Sequence, residues 1–253
     1  MRLSGSTILV TGGGSGIGRG LAEALHALGN QVVIAGRRKQ ALDETTKANP
    51  GMKSMVLDIE NRDGIRSFAK KAAASFPSLN VLINNAGIMR AEKLLEQTDD
   101  LTDAEAIVST NLLGPIRLTA ALLPLLKKQP SATIMNVSSG LAFVPLVLTP
   151  TYCATKAAIH SYTQSLRYQL KETKIEVLEL IPPYVATDLM SGRSDPRAMP
   201  LDKFLAEVIS ILKTQPTPQE ICVENVKALR MVAESEHYDA MFNGLNKGMA
   251  DIH

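Results

Sequence analysis

The sequence predicts an α/β fold: a single domain over residues 1–253, built on a doubly wound parallel β-sheet of six to seven strands with helices on both faces. Three observations point there. Short apolar runs alternate along the chain with longer segments whose apolar residues recur at helical spacing. The first of these runs enters a glycine-rich turn that opens at once into a helical pattern. No proline- or serine-rich linker and no shift in composition divides the chain.

The elements follow in order. Thr7 to Thr11 reads as the first strand and leads into Gly12-Gly13-Gly14-Ser15-Gly16-Ile17-Gly18, after which Leu21, Ala22, Ala24 and Leu25 trace a helix. A strand, a glycine turn and a helix in that sequence form a phosphate cradle: Gly12 permits the tight turn, Gly16 lets the backbone approach a pyrophosphate, and Gly18 allows close packing. A merely flexible loop would need neither flanking element. The second strand, Gln31 to Ala35, ends on Gly36-Arg37-Arg38, and the third, Ser54 to Leu57, ends on Asp58. Ile65, Phe68, Ala69, Ala72, Ala73 and Phe76 form a helical core stripe, followed by a fourth strand at Val81 to Ile83. A fifth strand, Thr133 to Val137, runs into Ser138-Ser139, and a sixth, Ile175 to Leu180, runs into Pro182-Pro183. Asp188 to Pro200 holds Gly192, Pro196 and Pro200 without periodicity and is expected to be a loop serving as a substrate lid at 188–200. Leu201, Phe204, Leu205, Val208, Ile209 and Leu212 restore a helical stripe. Glu220 to Val223 offers at most a short seventh strand before a helix from about Val226 to Ser235.

Composition narrows the classes of function. Apolar residues make up 45% of the chain and the net charge is +2, so a large core is affordable and no strong field for nucleic acid exists. The longest apolar stretch, around Leu118 to Leu126, is read as too short and too punctuated to span a bilayer, and the expected location is cytoplasmic. Cys153 and Cys222 form no disulfide framework, and His26, His160, His237 and His253 lack ligand spacing, so no catalytic metal is expected. Cys153 is read as helix packing.

Tyr152 and Lys156 are the chemically telling pair. Four residues apart on a helix, they stack a phenol and an ammonium on one face, and a nearby cation favours the phenolate. The spacing alone is too common to decide anything. The end of the second strand speaks to a nucleotide. Sites for NAD place an acid there to hold the ribose hydroxyl, whereas Gly36 stands at that position and Arg37 follows, a guanidinium able to grip a 2′-phosphate. Cations at the start of a helix are mildly unfavourable, which argues that Arg37 and Arg38 serve a ligand.

Taken together, Thr11-Gly12 with Gly16-Ile17-Gly18, Asn84-Asn85-Ala86-Gly87, and the ordered set Asn111, Ser139, Tyr152 and Lys156 resemble the short-chain dehydrogenase/reductase family over nearly the whole length. Ser139 rather than Ser138 matches the family's interval of thirteen positions to the tyrosine. Ser138-Ser139-Gly140-Leu141-Ala142-Phe143, Tyr152 to Lys156 and Pro182-Pro183-Tyr184-Val185-Ala186-Thr187 are similar to the DltE-like oxidoreductases within it. The resemblance implies a Rossmann-type sheet and hydride transfer between NADP(H), with NAD(H) as the alternative, and a carbonyl or secondary alcohol. It makes Asn111, Ser139, Tyr152 and Lys156 the catalytic set. Tyr152 would be the general acid/base, and Lys156 would lower its pKa and bond the nicotinamide ribose. Ser139 would bond the substrate oxygen, and a helix loosened at Asn111 by Pro115 would hold a water linking Lys156 to solvent.

The implied cofactor contacts run from Gly12, Ser15, Gly16, Ile17 and Gly18 through Arg37 and Arg38 to Asp58 and Ile59, where Asp58 would accept from the adenine. They continue through Asn85, Ala86 and Gly87 to Tyr152 and Lys156, and end at Pro182, Val185 and Thr187. Pro183 replaces the family's glycine after the sixth strand, which implies an altered nicotinamide loop. The C-terminus lacks the glycine-rich ending of tetrameric members, and a homodimer through the helices at Leu112 to Leu126 and Tyr152 to Leu170 is implied instead. A catalytically silent nucleotide-binding regulator and a lyase or epimerase recycling its nicotinamide are the rival readings.

Overall fold

The computed structural model describes residues 1–96, 99–189, 195–215, 217–233 and 235–247. Seven parallel strands form one sheet in the order β3-β2-β1-β4-β5-β6-β7. They are β1 Thr7–Thr11, β2 Gln31–Gly36, β3 Lys53–Val56, β4 Leu79–Asn84, β5 Ala132–Val137, β6 Ile175–Ile181 and β7 Glu220–Cys222. The helices are α1 Gly16–Ala27, α2 Lys39–Ala48, α3 Arg62–Ser75, α4 Thr102–Val108, α5 Gly114–Leu126, α6 Pro150–Leu170, α7 Leu201–Thr214, α8 Glu224–Val232 and α9 Tyr238–Asn246. β1 and β4 are neighbours although β2 and β3 intervene in sequence, so the strand order reverses between them. A crevice opens there beyond the C-terminal ends of the strands.

Strand alternation sorts the core into two layers. Ile8, Val10, Val32, Ile34, Met135 and Leu180 pack with Leu21 and Leu25 of α1 and with Phe204 and Val208 of α7. Leu9, Val33, Leu82, Ile134 and Val177 pack on the other face with Phe68 of α3, Leu118 and Leu122 of α5, and Leu166 of α6. Each of these leucines and isoleucines contributes roughly 1.5–3 kcal/mol through burial, so the sheet is held rigid from both sides.

Several boundaries differ from the sequence reading. β4 starts earlier, at Leu79, because Asn80 turns its side chain to accept from the Thr7 backbone N–H at 2.9 Å and so joins the pairing. α8 ends at Val232, and α9 was not foreseen, since none of its residues is buried and it lacks a core stripe. The apolar run at Leu118 to Leu126 belongs to a helical stretch, Thr102–Leu126, that is long and apolar enough to cross a membrane by length and composition. In the fold it is a core element, with Leu118, Leu122 and Leu126 fully buried against the sheet. Of the segment expected as a lid, residues 190–194 lie outside the described residues. Its base is closed by a bridge between Val185 and Met199, with the Met199 N–H donating to Tyr184 at 2.8 Å.

Candidate active site

The crevice is floored by the glycine turn. Gly12 has φ of +68° and Gly16 of +52°, a region that favours glycine. A Cβ on Gly18 would sit 2.4 Å from the Gly12 carbonyl oxygen and 2.3 Å from Asn85 Nδ2, so Gly18 packs on the turn itself. A Cβ on Gly16 would meet only Thr187, at 3.5 Å, which puts the segment after β6 directly against the turn. α1 starts uncapped: the Ser15 side chain makes no capping bond and the first turn holds no acid. The leading N–H groups and the positive end of the helix dipole therefore face the crevice without an internal partner, an arrangement that fits a pyrophosphate.

One hydroxyl ties this turn to the next strand end. Thr11 Oγ1 accepts from the backbone N–H groups of Asn85 and Ala86, both at 3.0 Å, and donates to Ile83 O at 3.3 Å. Asn85 Nδ2 donates in turn to Thr11 O at 3.0 Å. Asn111 continues the chain of bonds. Its side chain accepts from Ile88 N at 2.9 Å, donates to Ile88 O at 2.8 Å and donates to Thr155 Oγ1 at 3.3 Å, while Thr155 donates to Tyr152 O at 2.7 Å. The helix bearing Asn111 is a π-turn over Ser109–Leu113, with the Gly114 N–H reaching back five residues to Ser109. The loosening expected from Pro115 is present at the expected place.

Glu92 settles the start of α6, accepting from Thr151 N at 2.9 Å and from Thr151 Oγ1 at 2.6 Å. An acid at a helix N-terminus also favours the dipole. α6 thus presents Tyr152 and Lys156 side by side, the Lys156 Nζ lying 5.5 Å from the phenol ring centre. Ser139 Oγ accepts from Leu141 N at 3.1 Å and lies close enough to the Tyr152 phenol to favour its ionised form, whereas Ser138 points away and donates to Glu179 at 2.5 Å. Tyr152, Lys156, Ser139 and Asn111 are all buried. Lys156 donates to Val137 O at 2.8 Å, and Gly87 lies beside both Asn111 and Lys156.

Burial rules the proton affinities. It pushes the Tyr152 phenol far above its ordinary value, and the Ser139 hydroxyl only partly offsets this. The sequence reading, which expected Lys156 to lower this pKa, weighed the neighbouring charge and missed the larger cost of removing a phenolate from water. Lys156 itself is pulled down to about 8 by burial, opposed by the charge of Glu179. Cys153 fills space: its Sγ accepts from Leu146 N at 3.3 Å, and burial raises its pKa, so it is not an activated nucleophile.

At the nucleotide end, Arg37 pairs with Glu60 at 2.8 Å and Arg38 donates to Ser15 Oγ at 2.9 Å, bringing a guanidinium onto the glycine turn. Asp58 is exposed and accepts from Glu60 N at 3.1 Å, and Ile59 is buried against Gly114. Ile17 packs against the core, and Val185 is buried at the base of the 184–199 segment. The Pro182 carbonyl accepts from Gly140 N at 2.9 Å, which links the segment after β6 to the serine loop. Sequence reasoning named Thr11, Ser138 and His160 without giving them these contacts, and it missed Glu60, Glu92 and Glu179. Of the missed residues Glu179 left a trace, as a lone charge within the apolar run Val177 to Ile181.

Comparison with known proteins gives the family. The chain is 38% identical over 251 residues to the uncharacterized oxidoreductase DltE of Bacillus subtilis (strain 168), covering 97% of this chain and 98% of that one. It is 32% identical to an uncharacterized oxidoreductase of Staphylococcus aureus (strain N315) over 85% of this chain and 93% of that one. Among solved structures, a short chain dehydrogenase from Burkholderia cenocepacia J2315 in complex with NADP superposes with a TM-score of 0.81 at 27% identity, over 97% of this chain and 99% of that one. A 3-ketoacyl-(acyl-carrier-protein) reductase from Brucella melitensis complexed with NADH gives a TM-score of 0.76 at 27% identity, over 85% and 93%. The family model described as short chain dehydrogenase matches residues 6–198, a stretch that takes in both the glycine turn and the surroundings of Tyr152. The chain belongs to the short chain dehydrogenase family.

Proposed function

We propose that this chain is an oxidoreductase that transfers a hydride between NADP(H) and a carbonyl or secondary-alcohol carbon of a small molecule, with Tyr152 as general acid/base. The observation that carries the reading is the meeting of Tyr152, Ser139 and Lys156 in one buried site. Nearby, the glycine turn and the uncapped start of α1 fit a dinucleotide. When bound, the nicotinamide supplies or accepts the hydride. Tyr152 gives its proton to the substrate oxygen in reduction and takes it back in oxidation. Ser139, beside the phenol, donates to the same oxygen and steadies the charge that develops there. Lys156 supplies positive charge beside the phenol and donors for a ribose, and the contacts of Asn111 hold the Ile88 backbone and α6 in place.

Solved relatives are complexed with NADP in one case and NADH in another. The preference for NADP(H) therefore rests on this chain's own residues: Gly36 removes the repelling carboxylate, while Arg37 and Arg38 supply guanidinium groups at the edge of the crevice. We also propose a cytoplasmic homodimer that pairs through α5 and α6; light scattering at micromolar concentration checks the dimer, and a stable monomer would contradict it. The test of the chemistry is Tyr152→Phe, assayed by NADPH absorbance against a panel of carbonyls and alcohols. Turnover should vanish with cofactor affinity nearly unchanged. Retention of most activity would remove Tyr152 from the mechanism. Gly36→Asp with Arg37→Ile should reverse an NADPH-over-NADH preference of about ten- to a hundredfold.

A further inference from the structure

Beneath the catalytic layer lies a polar row that the proposed reaction does not use. On the sheet face that carries α5 and α6, β4, β5 and β6 bring Asn84, Asn136 and Glu179 into line, Asn84 in register with Asn136 and Asn136 with Glu179. Glu179 is completely buried. A carboxylate taken out of water costs several kcal/mol unless it is paired and hydrogen-bonded, and Glu179 is well supplied. Ser138 donates to one oxygen at 2.5 Å, and His160 Nδ1 lies 3.1 and 2.9 Å from the two. Phe143 meets the His160 ring edge-on at 4.8 Å and fixes its orientation. Tyr152, Lys156 and His160 follow one another at intervals of four on α6, so the helix presents all three on one face.

We propose that Glu179 is a positioning residue for catalysis: its carboxylate, aimed by Ser138 and His160, is the counter-charge that keeps the buried Lys156 an ammonium. The proposal rests on Lys156 serving the reaction above and adds the group that sets its charge. Lys156 is faced by the Tyr152 phenol from its own helix, by the Val137 carbonyl from β5, by neutral Asn111 across Gly87 and by Glu179 from β6. Glu179 is faced by Ser138 after β5, by His160 from α6, and from β7 and α8 by Cys222, Glu220 and Arg230. Glu220 does not compete for the role. Arg230 holds both of its oxygens, at 2.8 and 3.1 Å, and so offsets its charge. Two bonded routes hold the carboxylate next to the lysine: Lys156 Nζ bonds Val137 O and the following residue, Ser138, bonds Glu179, while His160, one turn beyond Lys156 on α6, lies 2.9 Å from the same carboxylate. Burial drives Lys156 toward the neutral amine, and the charge of Glu179 opposes it.

The experiment reads the lysine directly. The full chain, free of cofactor and carrying lysine labelled with 13C at Cε, is titrated by NMR, with the Lys156 signal assigned by its loss in Lys156→Met. The expected midpoint is near 8 in the wild type and lower by about one unit or more in Glu179→Gln, a tenfold fall in proton affinity. Glu179→Asp keeps the charge and should stay close to wild type. Equal midpoints in wild type and Glu179→Gln would overturn the proposal, as would a fall in Glu179→Asp as large as in Glu179→Gln. If Glu179→Gln does not fold, Glu179→Leu combined with His160→Leu removes the buried pair together, a change that folds tolerate better, and the same lowered midpoint is expected. No turnover is needed, so an unmoved midpoint and a failure of the hydride-transfer reading are separate results.

Discussion

Replacing Lys156 by methionine should change how stability depends on pH, in a direction that the site determines. Burial lowers the ammonium from its ordinary 10.5 to about 8, so the folded protein holds this proton less tightly than the unfolded chain does. Below about pH 8 the full cost of burying the charge is present. Between about pH 8 and 10.5 the unfolded chain binds more protons, and stability rises with pH. The whole difference corresponds to roughly 3 kcal/mol, of which about 2 kcal/mol is regained between pH 7 and pH 9.5. Other buried groups work against this. Tyr152, Cys153 and Cys222 are all raised by burial, so they stay neutral in the folded state and subtract stability as the unfolded chain ionises at alkaline pH. They are present in both proteins and cancel in the difference. The assay is urea unfolding followed by circular dichroism for wild type and Lys156→Met at the two pH values. Wild type should gain about 2 kcal/mol on the variant from pH 7 to pH 9.5. A difference that stays level, or that moves the other way, would refute a buried, proton-poor lysine.

Gly18→Ala should lower the melting temperature and abolish dinucleotide binding, since its Cβ would lie 2.4 Å from the Gly12 carbonyl oxygen and backbone cannot yield cheaply; overpacking of this kind costs about 1–3 kcal/mol, and an unchanged melting curve would contradict the packing described. Glu60→Gln should release Arg37 from its ion pair and tighten NADPH by a few-fold, in line with the roughly 0–1 kcal/mol of an exposed pair, while NADH is unaffected; NADPH fluorescence titration checks it, and weaker NADPH binding would mean that Glu60 aims Arg37 instead. Asn246→Ala should speed hydrogen exchange at the Val147 amide, which donates to the Asn246 side chain at 2.8 Å while Asn246 Nδ2 holds Pro145 O at 3.1 Å.

The strands were legible because a parallel sheet covered on both faces demands continuous apolar runs, and Ile8 to Val10, Val32 to Ile34 and Val81 to Ile83 supply them. The glycine turn was legible because its conformations exclude side chains. What could not be read is pairing across the chain. Arg37 and Glu60 are 23 residues apart, and Ser138 and Glu179 are 41 apart; no periodicity connects such partners, and only strand register sets Glu179 beside Asn136. The proton affinity of Tyr152 was misjudged for a related reason: a neighbour four residues away is visible in a sequence, whereas the depth of burial is a property of the whole fold. α9 left no signal because its apolar residues pack on the surface and not into the core.

Thr11 and Asn85 are 74 positions apart in sequence yet share a hydroxyl and a side-chain amide across two adjacent strand ends. The distance from the phosphate turn to the segment held by Asn111 is therefore set by one local knot and not by the lengths of the elements that intervene. Insertions or deletions in the loops around α2 and α3 would lengthen or shorten the path along the chain while leaving that spacing alone. The reactive geometry is insulated from the parts of the sequence freest to drift.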